Sequence, residues 1–257
     1  MIILTALVLF LVSRQPQECT ASSAAPALDH VILVVRDLET AATGFRAHGF
    51  RLKAGRLHAN NLLNRHVKFR DGSSVELMTV RGPPRDAMAR DYAELSAEGE
   101  GGVYVALSVQ SLDSPKAAVA ALGLLNRESM SGPWRFLSFP PASPAAAVFF
   151  STGTAIVQDA DSLLDHVPSV AGLAEAWLEG GAALATLLEQ LGARRCGSAV
   201  GPDGRTGERI ALSRGRVVIV PPATAGRPRV LGAVLKLQEP GAMTVRPHPN
   251  FWVRYEY

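Results

Sequence analysis

One acidic residue and several histidines are the side chains in this sequence with the clearest capacity for chemistry. Glu76 lies between two apolar residues of a short apolar run. Side chains alternate across a strand, so if its neighbours pack against a helix, the Glu76 carboxylate faces a cavity, where an unpaired charge is costly. It then requires a metal ion, a raised pKa or a salt bridge to Arg56, Arg65 or Lys68. His30 lies at the start of another apolar run, a position that is by itself more typical of a hydrogen-bonding residue than of a ligand.

Motifs for several common chemistries are missing from the sequence. It contains no G-x-S-x-G nucleophile elbow, no H-E-x-x-H zinc motif, no P-loop and no G-x-G-x-x-G after a strand. Its two cysteines, Cys19 and Cys196, form no C-x-x-C pair, and Cys19 lies in an N-terminal leader. We therefore expect no disulfide framework and interpret Cys196 as a structural residue.

Residues 28–80 have the pattern of a βαβββ unit. The opening run is short and β-branched, as in a buried strand. Asp37 is positioned to cap the helix that follows, and Gly49 ends it because glycine readily takes positive φ. The Asp71-Gly72 turn indicates a hairpin. The predicted strands cover residues 29–35, 50–53, 65–69 and 74–80.

The same order of strand and helix recurs along the chain, which predicts repeated modules. The second copy starts at residue 101; it places Tyr104 where His30 stands in the first, and it has no acid at the counterpart of Glu76. The third copy starts at residue 172 and has apolar residues at both positions. Residues 230–237 have the pattern of one more opening strand, and a proline-rich, aromatic tail follows it.

The segments LDHVILVVRDLETAATGF and DGSSVELMTV, with His58 and Asn64 between them, resemble the glyoxalase-like branch of the vicinal-oxygen-chelate superfamily. The resemblance implies an α+β fold in which repeated βαβββ modules pair into curved mixed sheets around a cavity. It also implies that His30 and Glu76 bind a divalent metal ion, with Glu76 as the catalytic group. By the same resemblance, the residues that contact substrate are His58, Asn64 and Tyr104. The Gly-Thr pair that precedes this Asn in the branch is absent here.

The chemistry implied by the resemblance is Lewis-acid catalysis, in which two neighbouring oxygens of a small organic substrate chelate the metal ion. A lyase, an isomerase and a dioxygenase all fit, with Zn, Mn, Fe or Ni as the metal. Two protein ligands are generally too few, and Tyr104 is a poor replacement for a third. His58 or His66 could supply it. The alternative is a non-catalytic small-molecule-binding protein, of the sequestration or resistance type, with a degenerate metal site or none.

Composition restricts the remaining classes of function. The 257 residues are 47% hydrophobic and 19% charged, as in a folded protein. The net charge of +3 is small and scattered, which argues against a nucleic-acid partner. We expect a protein that binds a small molecule, as a monomer or a homodimer.

The apolar N-terminus predicts a signal peptide or N-terminal anchor over residues 1–25, and hence a secreted or periplasmic location. A cytoplasmic protein with a misassigned start codon is the alternative. Paired modules are expected over residues 27–158. A third module, an extra strand and a C-terminal tail are expected over residues 170–257.

Overall fold

The computed structural model describes residues 19–153, 159–223 and 226–257 of the chain. Within these ranges, fifteen strands join one mixed sheet, and five helices accompany them. This is the α+β arrangement of repeated βαβββ modules that the sequence predicts. Most of the expected leader, residues 1–18, and the end of the first expected domain, residues 154–158, lie outside the described residues.

The first module has the predicted order of elements. It comprises β1 (Ala27–Val34), α1 (Leu38–Ala47), β2 (Lys53–Leu57), β3 (Leu62–Lys68) and β4 (Ser74–Val80). The backbone N–H of Thr40 donates to Oδ1 of Asp37 at 2.9 Å, which caps α1 as expected. Gly49 follows the helix with a φ of +82°, a conformation that favours glycine. Strand β2 starts at Lys53, three residues after its predicted start.

The remaining elements follow in three groups. The helix α2 (Ala87–Glu98) leads into β5 (Gly101–Ser108), α3 (Asp113–Ala121), β6 (Arg127–Ser131), β7 (Trp134–Ser138) and β8 (Val148–Thr152). After α4 (Asp161–Leu164) come β9 (Val170–Glu179), α5 (Ala182–Gln190), β10 (Arg194–Val200), β11 (Thr206–Ala211) and β12 (Arg216–Val220). The chain ends with β13 (Val230–Leu237), β14 (Ala242–His248) and β15 (Phe251–Glu256).

The modules pair through their opening strands. Strand β1 is antiparallel to β5, and β9 is antiparallel to β13, so the first two modules form one half and the last two the other. The halves meet where Val230 of β13 pairs with Gly102 of β5. In each complete module the last strand returns beside the first in parallel, as β4 does beside β1. Strands far apart in sequence therefore become neighbours, which is how remote side chains meet.

The C-terminal tail is part of the sheet, although its sequence predicts only an extension of the chain. Strand β15 lies parallel to β13, and β14 pairs with β15. Alternate residues of β15 are buried in the main core: Phe251, Val253 and Tyr255. The fourth module thus consists of three strands without a helix, and burial of these aromatic and aliphatic side chains holds it in place.

The sequence excludes a disulfide framework and assigns Cys19 to the leader, and this expectation is wrong. Cys19 and Cys196 form a disulfide, with their Cα atoms 5.6 Å apart. The two meet because the segment before β1 runs along the start of β10: the backbone N–H of Ser22 donates to the carbonyl of Gly192 at 3.0 Å. Ala25 in this segment is buried. Residues 19–25, which the sequence assigns to the leader, are therefore held against the folded domain.

No helix within the described ranges combines the length and the hydrophobicity needed to cross a bilayer.

Candidate functional site

The candidate site lies on the face of the sheet that α2 covers, here called the α2 face. Its apolar part consists of side chains from β1, β3, β4, β5 and α2 that pack in one cluster separate from the main core: Ile32, Val34, Leu62, Met78, Ala89, Tyr92, Leu95 and Val103. The alternation along each strand brings polar residues to the same face, two positions from these apolar ones. His30, Asn64 and Glu76 lie two residues from Ile32, Leu62 and Met78.

His30 and Glu76 come together, as the sequence predicts. Because β1 and β4 are parallel neighbours, Nε2 of His30 lies 3.5 Å from Oε2 of Glu76. The other ring nitrogen, Nδ1, lies 3.4 Å from Oδ2 of Asp29. A carboxylate on the far side of a histidine ring fixes the orientation of that ring, as is usual for metal-binding histidines. Metal binding itself stays a prediction.

Asn64 holds the second oxygen of the Glu76 carboxylate. Its amide nitrogen donates to Oε1 at 2.6 Å, and its own Oδ1 accepts the backbone N–H of Arg56 at 3.1 Å. Only 7% of Asn64 is exposed, so this amide has a fixed orientation. The sequence associates Asn64 with substrate, whereas the structure shows it in contact with the acid.

His66 is the residue whose position the sequence leaves open. It lies two residues after Asn64 on β3 and pairs in register with Glu76 of β4. Its Nε2 is 3.5 Å from Oε1 of Glu76 and 3.1 Å from Nδ2 of Asn64, while its Nδ1 is buried without a hydrogen-bond partner among the described residues. The signal in the sequence is the period of two from Asn64 to His66. The strand register, which brings His66 opposite Glu76, is not visible there.

The electrostatics of the group differ between its two histidines. Burial opposes the charged form of His30, but the hydrogen bond and charge of Asp29 and the charge of Glu76 outweigh it and raise the pKa of His30. Burial dominates at His66 and lowers its pKa, with the charge of Glu76 acting against this. His30 is thus biased toward the cation and His66 toward the neutral form, so binding an ion through Nε2 of His30 requires that His30 release its proton.

The predicted salt bridges of Glu76 are not found among the described residues. Arg65 instead pairs with Glu39, and the titratable neighbours of Glu76 are His30 and His66. Glu76, of which 6% is exposed, therefore has one amide and two imidazoles around its carboxylate, and of the two imidazoles only His30 is biased toward the cation.

A divalent metal ion needs several nitrogen, oxygen or sulfur ligands that converge on one point. In the described ranges no group of three or more His, Cys, Asp or Glu side chains has the geometry to hold one. The two histidines face different oxygens of Glu76, and the amide of Asn64 already binds Oε1. On the Oε2 side, an imidazole nitrogen and a carboxylate oxygen 3.5 Å apart match the separation of two ligands around one divalent ion. His30 and Glu76 are therefore placed as two ligands of one ion, and the third ligand that is generally needed would have to come from outside this pair.

His58 lines a cavity of about 460 Å³ beside this group. The cavity lies between the β2–β3 loop, the start of α2 and the β6 strand, and its wall includes Met88 and Met130. Nε2 of His58 is buried and has no partner among the described residues. Burial and the charge of Arg56 lower the pKa of His58, although the charge of Glu76 opposes this. The role of His58 as a substrate contact stays a prediction.

Tyr104 lies on the same face as part of an aromatic series. Its ring stands edge-on to those of Tyr92 at 5.6 Å and Phe149 at 6.0 Å, and Phe149 in turn stands edge-on to His30 at 5.9 Å. Tyr104 thus reaches the site through Phe149, and its substrate contact also stays a prediction.

The sequence profile of the glyoxalase-like domain family matches residues 28–192, which is more than half of the chain. The chain belongs to this family. No curated protein sequence matches it significantly.

Solved structures with the same fold include two dioxygenases. The 2,3-dioxygenase LapB from Pseudomonas sp. KL28 is 12% identical, with a TM-score of 0.59 over 92% of this chain and 94% of its own. An extradiol ring-cleaving dioxygenase from B. fuscum is 14% identical, with a TM-score of 0.61 over 91% of this chain and 73% of its own. A hypothetical protein from Staphylococcus aureus is 11% identical, with a TM-score of 0.61 over 90% of this chain and 98% of its own. At these identities the likeness establishes the fold alone.

Proposed function

We propose that this protein is a divalent-metal-dependent enzyme, of the lyase, isomerase or dioxygenase class, that acts on a small oxygenated organic molecule. The observation that carries the proposal is the 3.5 Å approach of His30 Nε2 to Glu76 Oε2, within a buried group whose other members orient both side chains. The similarity to dioxygenase structures supports the choice of reaction classes.

Each residue of the group has a distinct task in this proposal. His30 and Glu76 would hold the ion, which when bound supplies a Lewis acid for two adjacent substrate oxygens. Asp29 keeps the His30 ring oriented, and Asn64 keeps Oε1 of Glu76 engaged so that Oε2 remains toward His30. His58, uncharged and with a free ring nitrogen at the cavity wall, would accept a hydrogen bond from substrate or donate one to it.

Metal content of the purified protein tests the proposal. The wild-type chain is loaded with Zn, Mn, Fe(II) or Ni in turn, desalted, and measured by elemental analysis. The variants His30→Ala and Glu76→Gln are treated in the same way, as is the control His48→Ala at the end of α1. We expect one divalent ion per chain in the wild type and the control, and loss of the ion in both site variants. A wild-type chain that retains none of the four ions contradicts the proposal.

A non-catalytic binding protein is the second candidate. It is favoured by the lack, within the described ranges, of a group of three or more residues able to hold an ion. The mixed wall of the 460 Å³ cavity, in which Leu57, Met88 and Met130 lie among polar residues, also suits a small organic ligand. It predicts thermal stabilisation by a small aromatic ligand that persists in EDTA. Stabilisation that disappears in EDTA supports the enzyme instead.

We also propose that the protein matures outside the cytoplasm, where disulfides persist. The Cys19–Cys196 bond supports this, and it requires that any leader is removed before Cys19, because residues 19–25 contact the folded domain. Mass spectrometry of the protein secreted or exported by the host gives its first residue. A mature chain that starts after Cys19 contradicts this proposal.

A further inference from the structure

The second half of the sheet carries a buried acid surrounded by arginines. Glu175 of β9 is 2% exposed, and its Oε2 accepts a hydrogen bond from Nε of Arg209 at 2.8 Å. Nε of Arg216 lies 3.4 Å from the same oxygen, buried and without a hydrogen bond among the described residues. The other oxygen, Oε1, accepts the indole N–H of Trp177 at 2.7 Å, and the guanidinium of Arg254 lies over that indole, 4.9 Å from its centroid. These five residues are here called the Glu175 cluster.

The Glu175 cluster occupies the position in the second half that the candidate metal ligands occupy in the first. In each half the residue after the opening strand donates its N–H to the last strand of the module, and this bond fixes a common register. In that register Glu175 is the counterpart of His30, and Arg209 is the counterpart of His66, while the counterpart of Glu76 is apolar. The alignment of the repeats by sequence, which gives an apolar residue at the position of Glu175, is two residues out of this register. The second half thus carries guanidinium groups where the first carries imidazoles.

The face that carries the Glu175 cluster is open to solvent. In the described part of the chain, only strands contribute to its apolar part, which consists of Trp177, Val218, Val220 and Val234 with Ala174, Ala199, Leu231 and Trp252 packed against them. The corresponding apolar cluster of the first half includes three residues of α2. The side chains of Arg209, Arg216 and Arg254 are between 35% and 43% exposed. A ligand in solution can therefore reach all three guanidinium groups.

The positive charge of the Glu175 cluster exceeds what its acid neutralises. Three arginines lie around one buried carboxylate. A second acid, Glu256, lies 3.5 Å from Nη1 of Arg254, but it is 44% exposed, and such a pair contributes little. Arg209 and Arg216 both approach Glu175 through Nε, and within the described residues their Nη atoms form no hydrogen bond. Donors and charge are thus both left for a second anion.

We propose that the Glu175 cluster binds a doubly charged oxyanion, the phosphate or sulfate group of a small molecule. A guanidinium presents paired N–H donors that match the oxygens of such a group. Glu175 holds Arg209 and Arg216 through Nε, and stacking on Trp177 holds Arg254, so the three forks are oriented before the ligand arrives. Because three cations face one buried acid, a dianion compensates the excess better than a monoanion. The inference involves no residue of the α2 face and does not depend on the proposed function.

Probes of similar shape and different charge test this inference. Binding of sulfate, of inorganic phosphate at pH 8 and of methanesulfonate to the full chain is measured by calorimetry in EDTA, with the ionic strength held constant by sodium chloride. We expect one site per chain, at which both dianions bind about tenfold or more tightly than the singly charged methanesulfonate, since each charge-assisted hydrogen bond contributes an effect of this size. Arg254→Gln should weaken sulfate binding by about tenfold for the same reason.

Glu175→Gln should have the opposite effect, because it keeps the shape of the side chain and removes the competing negative charge, so sulfate should bind more tightly. The exposed Arg90 on α2 provides the matched control, since Arg90→Gln changes the net charge as Arg254→Gln does and should leave sulfate affinity unchanged. Circular dichroism establishes that each variant is folded. If Glu175→Gln is unstable, Arg254→Gln still decides, because Arg254 forms no ion pair with the buried acid.

Three results overturn the inference. They are a wild-type protein that does not bind sulfate, one that binds methanesulfonate as tightly as sulfate, and equal sulfate affinities of Arg254→Gln and Arg90→Gln. None of them affects the metal measurement, which concerns the first half of the sheet and tests the proposed function separately.

Discussion

The amide nitrogen of Asn64 lies 2.6 Å from Oε1 of Glu76, and this contact decides which oxygen of the acid is open to a ligand. The same side chain accepts the backbone N–H of Arg56, so Asn64 is fixed at both ends. Its role is to orient the acid, and variants of Asn64 should therefore act on metal affinity through Glu76.

Replacing Asn64 should weaken metal binding without removing a ligand. In Asn64→Leu, Glu76 loses its amide donor, and we expect a 10- to 100-fold loss of affinity for the ion that the wild type retains. Asn64→Asp places a second carboxylate against Glu76, so it should be less stable than the wild type in EDTA and gain more stability from metal. Thermal unfolding with and without the ion measures both. Equal responses of all three proteins would contradict the assigned role.

Gly55 should be intolerant of a side chain because of the same contact. A Cβ atom there would overlap the backbone and side-chain oxygens of Asn64. We expect Gly55→Ala to destabilise the protein by about 1–3 kcal/mol and to lower metal affinity along with it.

Gly181 is the matched control, since a Cβ atom at this position meets nothing within 4 Å. Gly181→Ala should change the free energy of unfolding by less than about 1 kcal/mol, the usual cost at a helix start, and leave the site unaffected. Urea unfolding and metal titration distinguish the two. Equal effects of the two substitutions would show that Gly55 has no special relation to Asn64.

How much of the site was predictable depends on the kind of contact. The pairing of His30 with Glu76 follows from a resemblance of local sequence, and the helix cap at Asp37 follows from local chemistry. The contact of His66 with Glu76 depends on strand register, which no single segment encodes. The arginines around Glu175 depend on strand register in the same way.

The same distinction applies to the fold. Modules in which apolar and polar residues alternate clearly between turns are predictable from the sequence. The tail is not, because prolines within its strands interrupt the alternating pattern. Its strands are recognisable only once β13 provides an edge to pair with. The disulfide is not predictable from the sequence pattern, because the apolar N-terminus predicts a leader that includes Cys19, whereas Cys19 lies at the point where the chain joins the domain.

Breaking the disulfide should destabilise the protein substantially. The bond links residues 177 positions apart, so it restricts the unfolded chain strongly. We expect the double variant Cys19→Ser/Cys196→Ser to lose about 2–4 kcal/mol in the free energy of unfolding. The wild type in dithiothreitol should show the same loss in urea unfolding, and dithiothreitol should not affect the double variant. A reductant effect of similar size on both would exclude the bond as its cause.

His166 should make stability depend on pH. It is 4% exposed, its Nδ1 accepts the backbone N–H of Arg51 at 3.0 Å, and its Nε2 donates to the carbonyl of Lys68 at 2.7 Å. This bonding pattern requires the neutral ring. Burial lowers the pKa of His166, and the hydrogen bond to Lys68 only partly opposes this.

The sign of the dependence follows from proton linkage. Below about pH 6.5 the histidine of the unfolded chain binds a proton that the folded one does not, so unfolding becomes easier as pH falls. The stabilisation is complete above that value and decreases as pH falls toward the lowered pKa of His166 in the folded protein.

We compare the wild type with His166→Asn, which keeps an acceptor for the backbone N–H of Arg51 but cannot titrate. At about pH 7.5 the variant should lose about 1–3 kcal/mol through the unpaired Lys68 carbonyl. Between about pH 7.5 and pH 5 it should lose less stability than the wild type in urea unfolding, because carboxylate protonation is common to both. Parallel pH profiles for the two proteins would remove His166 as the source.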